Sequence, residues 1–259
     1  FQYAFGRALS LKQNTNLVLS TSFLESKLPF KQLVTQMRYE LAIFEINASV
    51  EHNVFSSNYL YPLAKAEYLL RDKTNSLKLN SLVENQHIFN SDYLEAKDNS
   101  YIKGNFQSEK YFSSIASIIR NDFRFKNQLD VQNQETKSAI ENSNAVSLHI
   151  RRGDYISLKQ NVNKFAQIPI SYYQNAIKNI ATKVENPVFF VFSDDINWVK
   201  DNLNAEFPLI FIVNNNTPET SYIDMQLMSL CKHNIICNST FSWWSAWLNT
   251  NPQKIVTAP

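Results

Sequence analysis

The chain of 259 residues sets 25 Lys and Arg against 23 Asp and Glu, a formal charge of +2. Apolar residues at 44% and charged residues at 19% give an ordinary globular balance, enough for one large or two modest domains, and exclude a disordered chain. The near-neutral charge excludes a dedicated nucleic-acid binder, and no apolar run reaches the roughly 18 residues that span a bilayer.

Glycine is scarce: Gly6, Gly104 and Gly153 are the only ones, so no glycine-rich phosphate loop exists in these residues. Cys231 and Cys237 have no second pair to complete a zinc site or a disulfide framework, which fits a reducing compartment. With four scattered histidines, no metal site is expected.

Phe1, Phe5, Ala8 and Leu9 share one face at helical spacing, so the chain opens inside a helix, and an element upstream of it is expected. Leu17–Ser20 and Leu41–Ile46 read as strands, whereas residues 50–105 show no firm pattern. Phe106–Phe125 reads as a helix striped by Tyr111, Phe112, Ile115, Ile118 and Ile119. Residues 126–144, rich in Asn, Gln, Lys and Glu, are a linker or exposed helix. They set the expected boundary between a domain of residues 1–138 and a second of residues 139–259.

From there strands and helices alternate. Strands are expected at Ala145–Ile150, Pro187–Phe192, Leu209–Val213, Ile235–Cys237 and Lys254–Pro259. Helices are expected at Ile170–Val184, Asp195–Leu203, Ser221–Lys232 and Phe241–Asn249. Such βαβ units predict an α/β domain with a doubly wound parallel sheet, whose ligands bind at the carboxyl ends of the strands.

Three of those strand ends are polar. The first runs into His149-Ile150-Arg151-Arg152-Gly153-Asp154-Tyr155, where alternation sets His149 and Arg151 on one face and Arg152 on the other. Adjacent guanidiniums suit a phosphate, and a charged rim with an Arg–Asp pair is the plainer alternative. The second ends in Ser193-Asp194-Asp195, which caps the next helix or accepts from a base edge or sugar. The third ends in Asn238-Ser239-Thr240, a hydroxyl-rich helix start that offers either a cap or an anion site. Together they describe a nucleotide-diphosphate pocket built without a glycine loop or a metal.

His149–Tyr155 resembles the HxRRxDY motif of the α-1,2-fucosyltransferases of glycosyltransferase family 11. The resemblance continues through Phe190–Asp195, Asp224–Met228, Asn238–Leu248 and the Gly104–Ser108 block followed by Tyr111-Phe112, in order along nearly the whole chain. The family normally carries a strand and a Gly-Gly-x-Gly-Asn-Gln-Met segment before Phe-Gln-Tyr-Ala and continues past the final Ala-Pro. The chain is therefore expected to be a fragment. Ser20, where the family often has Asp, and Cys237, where Ala is common, depart from its pattern.

The resemblance implies a GT-B-like fold of two Rossmann-like α/β domains facing a cleft, the first on the acceptor side and the second holding the GDP-sugar. It implies inverting, metal-independent transfer of L-fucose from GDP-β-L-fucose to the 2-hydroxyl of a terminal β-galactose. Arg151 would hold the β-phosphate, His149 would lie along the nucleoside, Asp194 would accept from the guanine edge, and Ser239 and Thr240 would hold phosphate oxygens. Arg152 would organise the turn or meet Asp154, and Asp154 is either the general base or half of that structural pair. A GDP-fucose transferase of another linkage and a catalytically inactive GDP- or glycan-binding fragment are the rival readings. The partners implied are GDP-fucose and a β-galactoside glycan, with no nucleic acid. The location implied is the cytoplasm, with peripheral association at the cytoplasmic membrane.

Overall fold

The computed structural model describes residues 1–21, 24, 38–51, 80–86, 88–153, 167–213, 217 and 219–259. The chain divides into two compact units, Phe1–Lys126 and Asn127–Pro259. The division lies twelve residues before the expected boundary at 138/139. Most of the segment between belongs to a helix, Val131–Glu141, that packs into the second unit.

In the first unit, helix α1 (Gln2–Gln13) buries Tyr3, Phe5 and Leu9 and stops at Asn14, whose φ of 53° makes a left-handed cap. Strand β1 (Val18–Ser20) pairs in parallel with β2 (Ser49–Glu51), and β3 (Asn80–Val83) with β4 (Ser100–Lys103). Phe5 of α1 stacks on Phe106 at 4.2 Å and meets Tyr111 at 5.0 Å, which makes an aromatic core. A buried polar knot joins the unit's ends: the Tyr3 hydroxyl donates to Asp122 (2.6 Å) and Arg7 Nε pairs with the same oxygen (3.1 Å). A cavity of about 760 Å³ lies against α1, β1 and β4 and reaches Gly104 and Asn105.

Two expectations for this unit fail. Leu41–Ile46 is a single 3-10 turn, Leu41–Ile43, after which Phe44 makes an isolated antiparallel bridge to Phe125. Phe44 stacks on Phe123 (4.9 Å) and meets Phe125 (4.9 Å), so aromatic packing decides the conformation over strand propensity. Phe106–Phe125 is not one helix either. Two 3-10 turns, Glu109–Tyr111 and Ser113–Ile115, precede a short helix α2 (Ala116–Asp122). Phe106 and Tyr111 serve the core around Phe5 from irregular backbone, so their spacing is not that of a helical stripe.

The second unit follows the expected order of strands and helices, though its last two strands are His233–Ile235 and Val256–Thr257 and not Ile235–Cys237 and Lys254–Pro259. Helix α3 (Val131–Glu141), capped by Asp130, leads into β5 (Asn144–Ile150), then α4 (Ile170–Ala181), β6 (Pro187–Ser193), α5 (Ile196–Asn202) and β7 (Leu209–Phe211). Helix α6 (Ser221–Leu230), β8 (His233–Ile235), α7 (Thr240–Leu248) and β9 (Val256–Thr257) complete it. All five strands are parallel, in the order β7-β6-β5-β8-β9.

Both faces of this sheet are covered, which is why its central strands are almost continuously apolar. Val146, Leu148 and Ile150 of β5 with Phe189 and Val191 of β6 pack under α4 and α5. Ala145, Phe190 and Phe192 pack on the other side with Ile140 of α3 and Leu227 and Met228 of α6. The α/β class and the doubly wound second sheet are thus as expected. Ile140 is fully buried there, which draws α3 into this unit.

A chain of buried amides crosses the layers. Asn234 of β8 donates to Ser147 Oγ (2.7 Å) and to the Met228 carbonyl (3.0 Å), and accepts from Asn249 (2.8 Å). Among the described residues no helix is long and apolar enough to cross a membrane.

Candidate active site

Strand order reverses about β5: the chain moves outward through β6 and β7, then returns on the other side at β8. Ligands of such sheets sit at this switch point, beyond the carboxyl ends of the strands. The described residues of the polar segments singled out above lie there.

The end of β5 is clamped to the end of β6. Arg151 Nε pairs with Asp194 Oδ2 at 3.0 Å, and the Arg152 backbone N–H donates to Asp194 Oδ1 at 2.8 Å. The Arg151 side chain is 29% exposed, and Asp194 anchors its guanidinium at the strand end. Arg152 takes the opposite course. Its guanidinium lies 3.4 Å above the Trp198 ring of α5, and its Nε approaches Asp195 Oδ2 at 3.4 Å. Asp195 stands at the α5 N-cap without a side-chain cap bond, while Ser193 Oγ accepts the Asp195 N–H (3.0 Å).

Gly153 has a packing reason. A Cβ there would lie 3.0 Å from Asp194 Oδ2 and 3.2 Å from its Cγ, tighter than ordinary contact allows. The glycine thus lets the chain pass the carboxylate that holds both arginines.

His149 is buried, 4% exposed. Its Nδ1 lies 3.3 Å from Cys237 Sγ, and its ring packs on Phe241 of α7 with centroids 5.5 Å apart. Burial, and secondarily the Arg151 charge, pull its pKa down to about 3. It is therefore a neutral imidazole at physiological pH. Cys237 Sγ also reaches Ser242 Oγ at 3.5 Å, and burial pushes the thiol pKa up.

The start of α7 completes the rim. Ser239 is its N-cap, with Oγ accepting the Phe241 N–H at 3.3 Å. That bond uses an acceptor lone pair and leaves the hydroxyl proton to donate. Thr240 follows, exposed, as the first helical residue. The positive end of a nine-residue helix thus adjoins the β5 terminus through the His149–Phe241 contact.

The structure brings Arg151, Arg152, Asp194, His149 and Ser239 to one end of the sheet, and Asp154 lies outside the described residues. Asp195 and Trp198 as the partners of Arg152, and Cys237 as the neighbour of His149, were not foreseen. The alternation that sends Arg152 away from Arg151 was the available clue to a second set of partners.

An α/β unit that presents an anchored arginine and a serine-capped helix start at a topological switch point is of the class that binds anionic ligands between strand ends. The model of glycosyl transferase family 11 matches residues 11–258. The chain is 37% identical to the O-antigen biosynthesis glycosyltransferase WbnK of Escherichia coli, a match covering all of this chain and 89% of that protein. It is 32% identical to an Escherichia coli alpha-1,2-colitosyltransferase, covering all of this chain and 86% of the relative. It is 31% identical to the rat galactoside alpha-(1,2)-fucosyltransferase 2 over 41% of this chain and 30% of that one. The chain belongs to glycosyl transferase family 11, and it is a glycosyltransferase.

Proposed function

We propose that the chain is a galactoside α-1,2-fucosyltransferase. It transfers L-fucose from GDP-β-L-fucose, with inversion and without a metal, to the 2-hydroxyl of a terminal β-galactose. The observation that carries this reading is the Arg151 guanidinium, held in place by Asp194 at the end of the central strand, where the fold class takes its ligands. As the glycosidic bond breaks, negative charge grows on the departing diphosphate. A cation fixed beforehand stabilises that charge mainly in the transition state. Ser239 and the start of α7 add hydrogen-bond donors and a positive dipole end.

Roles for the remaining residues follow from their partners. Both Asp194 oxygens are engaged by the β5 end, so we assign it to orienting Arg151, a change from the guanine-edge role that the resemblance implies. His149, buried and neutral, supports the nucleoside side of the pocket as a packed wall. Arg152, stacked on Trp198, organises the turn. Asp154 is the proposed general base. Asp154→Asn should then abolish turnover with GDP affinity intact, and loss of GDP binding would reassign it to the fold.

The primary test is calorimetric titration with GDP and with UDP in EDTA, for the wild type and Arg151→Ala. The reading requires GDP to bind in preference to UDP, and the substitution to weaken GDP binding by roughly 10- to 150-fold, the worth of a charged hydrogen bond. Equal binding of both nucleotides, or indifference to the substitution, refutes it. The match to a relative named for α-1,2-colitosyl transfer, over all of this chain and 86% of that protein, supports a second reading, in which the sugar moved is colitose. Competing the two sugar donors and reading the product linkage by NMR decides between them. We assign the enzyme to the cytoplasm, at the cytoplasmic membrane surface.

A further inference from the structure

The Gly104–Ser108 block is not absorbed by the donor site, and it holds the least comfortable backbone in the first unit. Phe106 sits at φ 49°, in the left-handed region that a buried aromatic residue rarely enters. Such a conformation is strained and persists only where its surroundings over-determine it.

The surroundings do so from three sides. Glu84 accepts the Asn105 N–H at 2.6 Å and the Phe106 N–H at 3.2 Å on the same carboxylate. Gln2 Nε2 donates to the Gly104 carbonyl at 2.6 Å. The Phe106 ring is fixed by Phe5 at 4.2 Å, Tyr93 at 5.7 Å and Tyr111 at 5.8 Å. Gly104 is needed as well, because a Cβ there would lie 2.4 Å from Glu84 Cβ.

This machinery buries Phe106 and turns its two neighbours outward. Asn105 and Gln107 are exposed, and neither side-chain amide bonds to another described residue. Asn105 lines the cavity of about 760 Å³, a volume within the range of small-ligand sites. The turn directly follows β4, so it stands at the carboxyl end of a parallel strand, where α/β sheets take their ligands. An amide offers a donor and an acceptor side by side, a match for neighbouring sugar hydroxyls.

We propose that the Gly104–Ser108 turn is an acceptor-glycan contact, with Asn105 and Gln107 binding sugar hydroxyls and Glu84 acting as the positioning residue that holds the turn. The inference rests on the glycosyltransferase reading above and supplies its acceptor side. Its test is saturation-transfer NMR titration of lactose on the wild type, Asn105→Ala, Gln107→Ala and Glu84→Gln, with GDP affinity measured on each by calorimetry. Each alanine variant should bind lactose roughly 2- to 12-fold more weakly, the worth of one neutral hydrogen bond, with GDP affinity unchanged. Glu84→Gln should weaken lactose in the same way although its side chain faces the turn, with far-UV circular dichroism and its thermal midpoint unchanged, which separates loss of the turn from loss of the first unit's fold. Lactose binding retained in all three variants, or absent from the wild type, overturns the proposal. A wild type that fails to bind GDP yet loses lactose in the variants instead refutes the donor reading and leaves this one standing.

Discussion

His149 ties stability to pH in a way that can be worked through. Its pKa falls from 6.5 to about 3 in the folded chain, first through burial and second through the Arg151 charge. A base whose folded pKa is depressed lends stability at pH values above its unfolded pKa. That stability is lost as pH drops, because the unfolded chain takes up the proton first. The loss runs from about pH 6.5 down to about 3, at up to ~1.36 kcal/mol per pH unit. Between pH 7.5 and 5, where most carboxylates stay ionised, it amounts to about 2 kcal/mol, a large share of a typical domain's stability. All four tryptophans, Trp198, Trp243, Trp244 and Trp247, lie in the second unit, so their fluorescence in a urea titration reports on that unit. His149→Asn keeps a polar atom near Cys237 but does not titrate. The stability difference between wild type and variant should therefore shrink by about 2 kcal/mol from pH 7.5 to pH 5. A difference constant within about 0.5 kcal/mol would show that the imidazole titrates normally in the native chain and refute the reasoning.

Three shorter predictions probe the same sheet. Gly153→Ala must push the Asp194 carboxylate by a few tenths of an ångström, so GDP affinity should fall several-fold with little change in urea midpoint; an unchanged affinity would uncouple that carboxylate from the site. Asn234→Ala strands the Ser147 hydroxyl, the Met228 carbonyl and the Asn249 amide, and should destabilise the second unit by about 3 kcal/mol in urea unfolding, the range for orphaned buried polar groups. A double-mutant cycle on Arg152→Gln and Trp198→Leu should yield a coupling of about 0.5–1 kcal/mol in urea, as a partly exposed cation–π pair gives; zero coupling would make the stacking incidental.

The two units differ in how much of them the residues disclose, and the reason is physical. In the second unit the central strands are covered on both faces, so β5 and β6 read as apolar blocks between helices with one clear stripe, such as Tyr173, Ala176, Ile177 and Ile180 on α4. Local pattern and tertiary environment agree there. In the first unit, Phe44, Phe106 and Tyr111 are placed by contacts with rings far away in sequence, and no local period announces them. Within the site, the polar strand ends were legible because the fold class puts ligands there. The pairing of Arg151 with Asp194 was not, since 43 positions separate them and only the register of β5 against β6, Ile150 opposite Ser193, brings the two together.

The buried amide chain through Asn234 has a further effect, on register. Ser147 and Asn234 face each other because β8 pairs with β5 in one alignment, Ser147 against Asn234. The apolar neighbours Val146, Leu148 and Ile235 would tolerate a slipped alignment far better than the amides would. A shift of one residue would turn Asn234 to the opposite face of the sheet and break its bonds to Ser147, Met228 and Asn249 together. The network therefore acts as an alignment key between the last strands and the sheet centre. It penalises the mispaired sheet more than it strengthens the correct one, and it sets the height at which β8 releases the chain into the Ser239 cap.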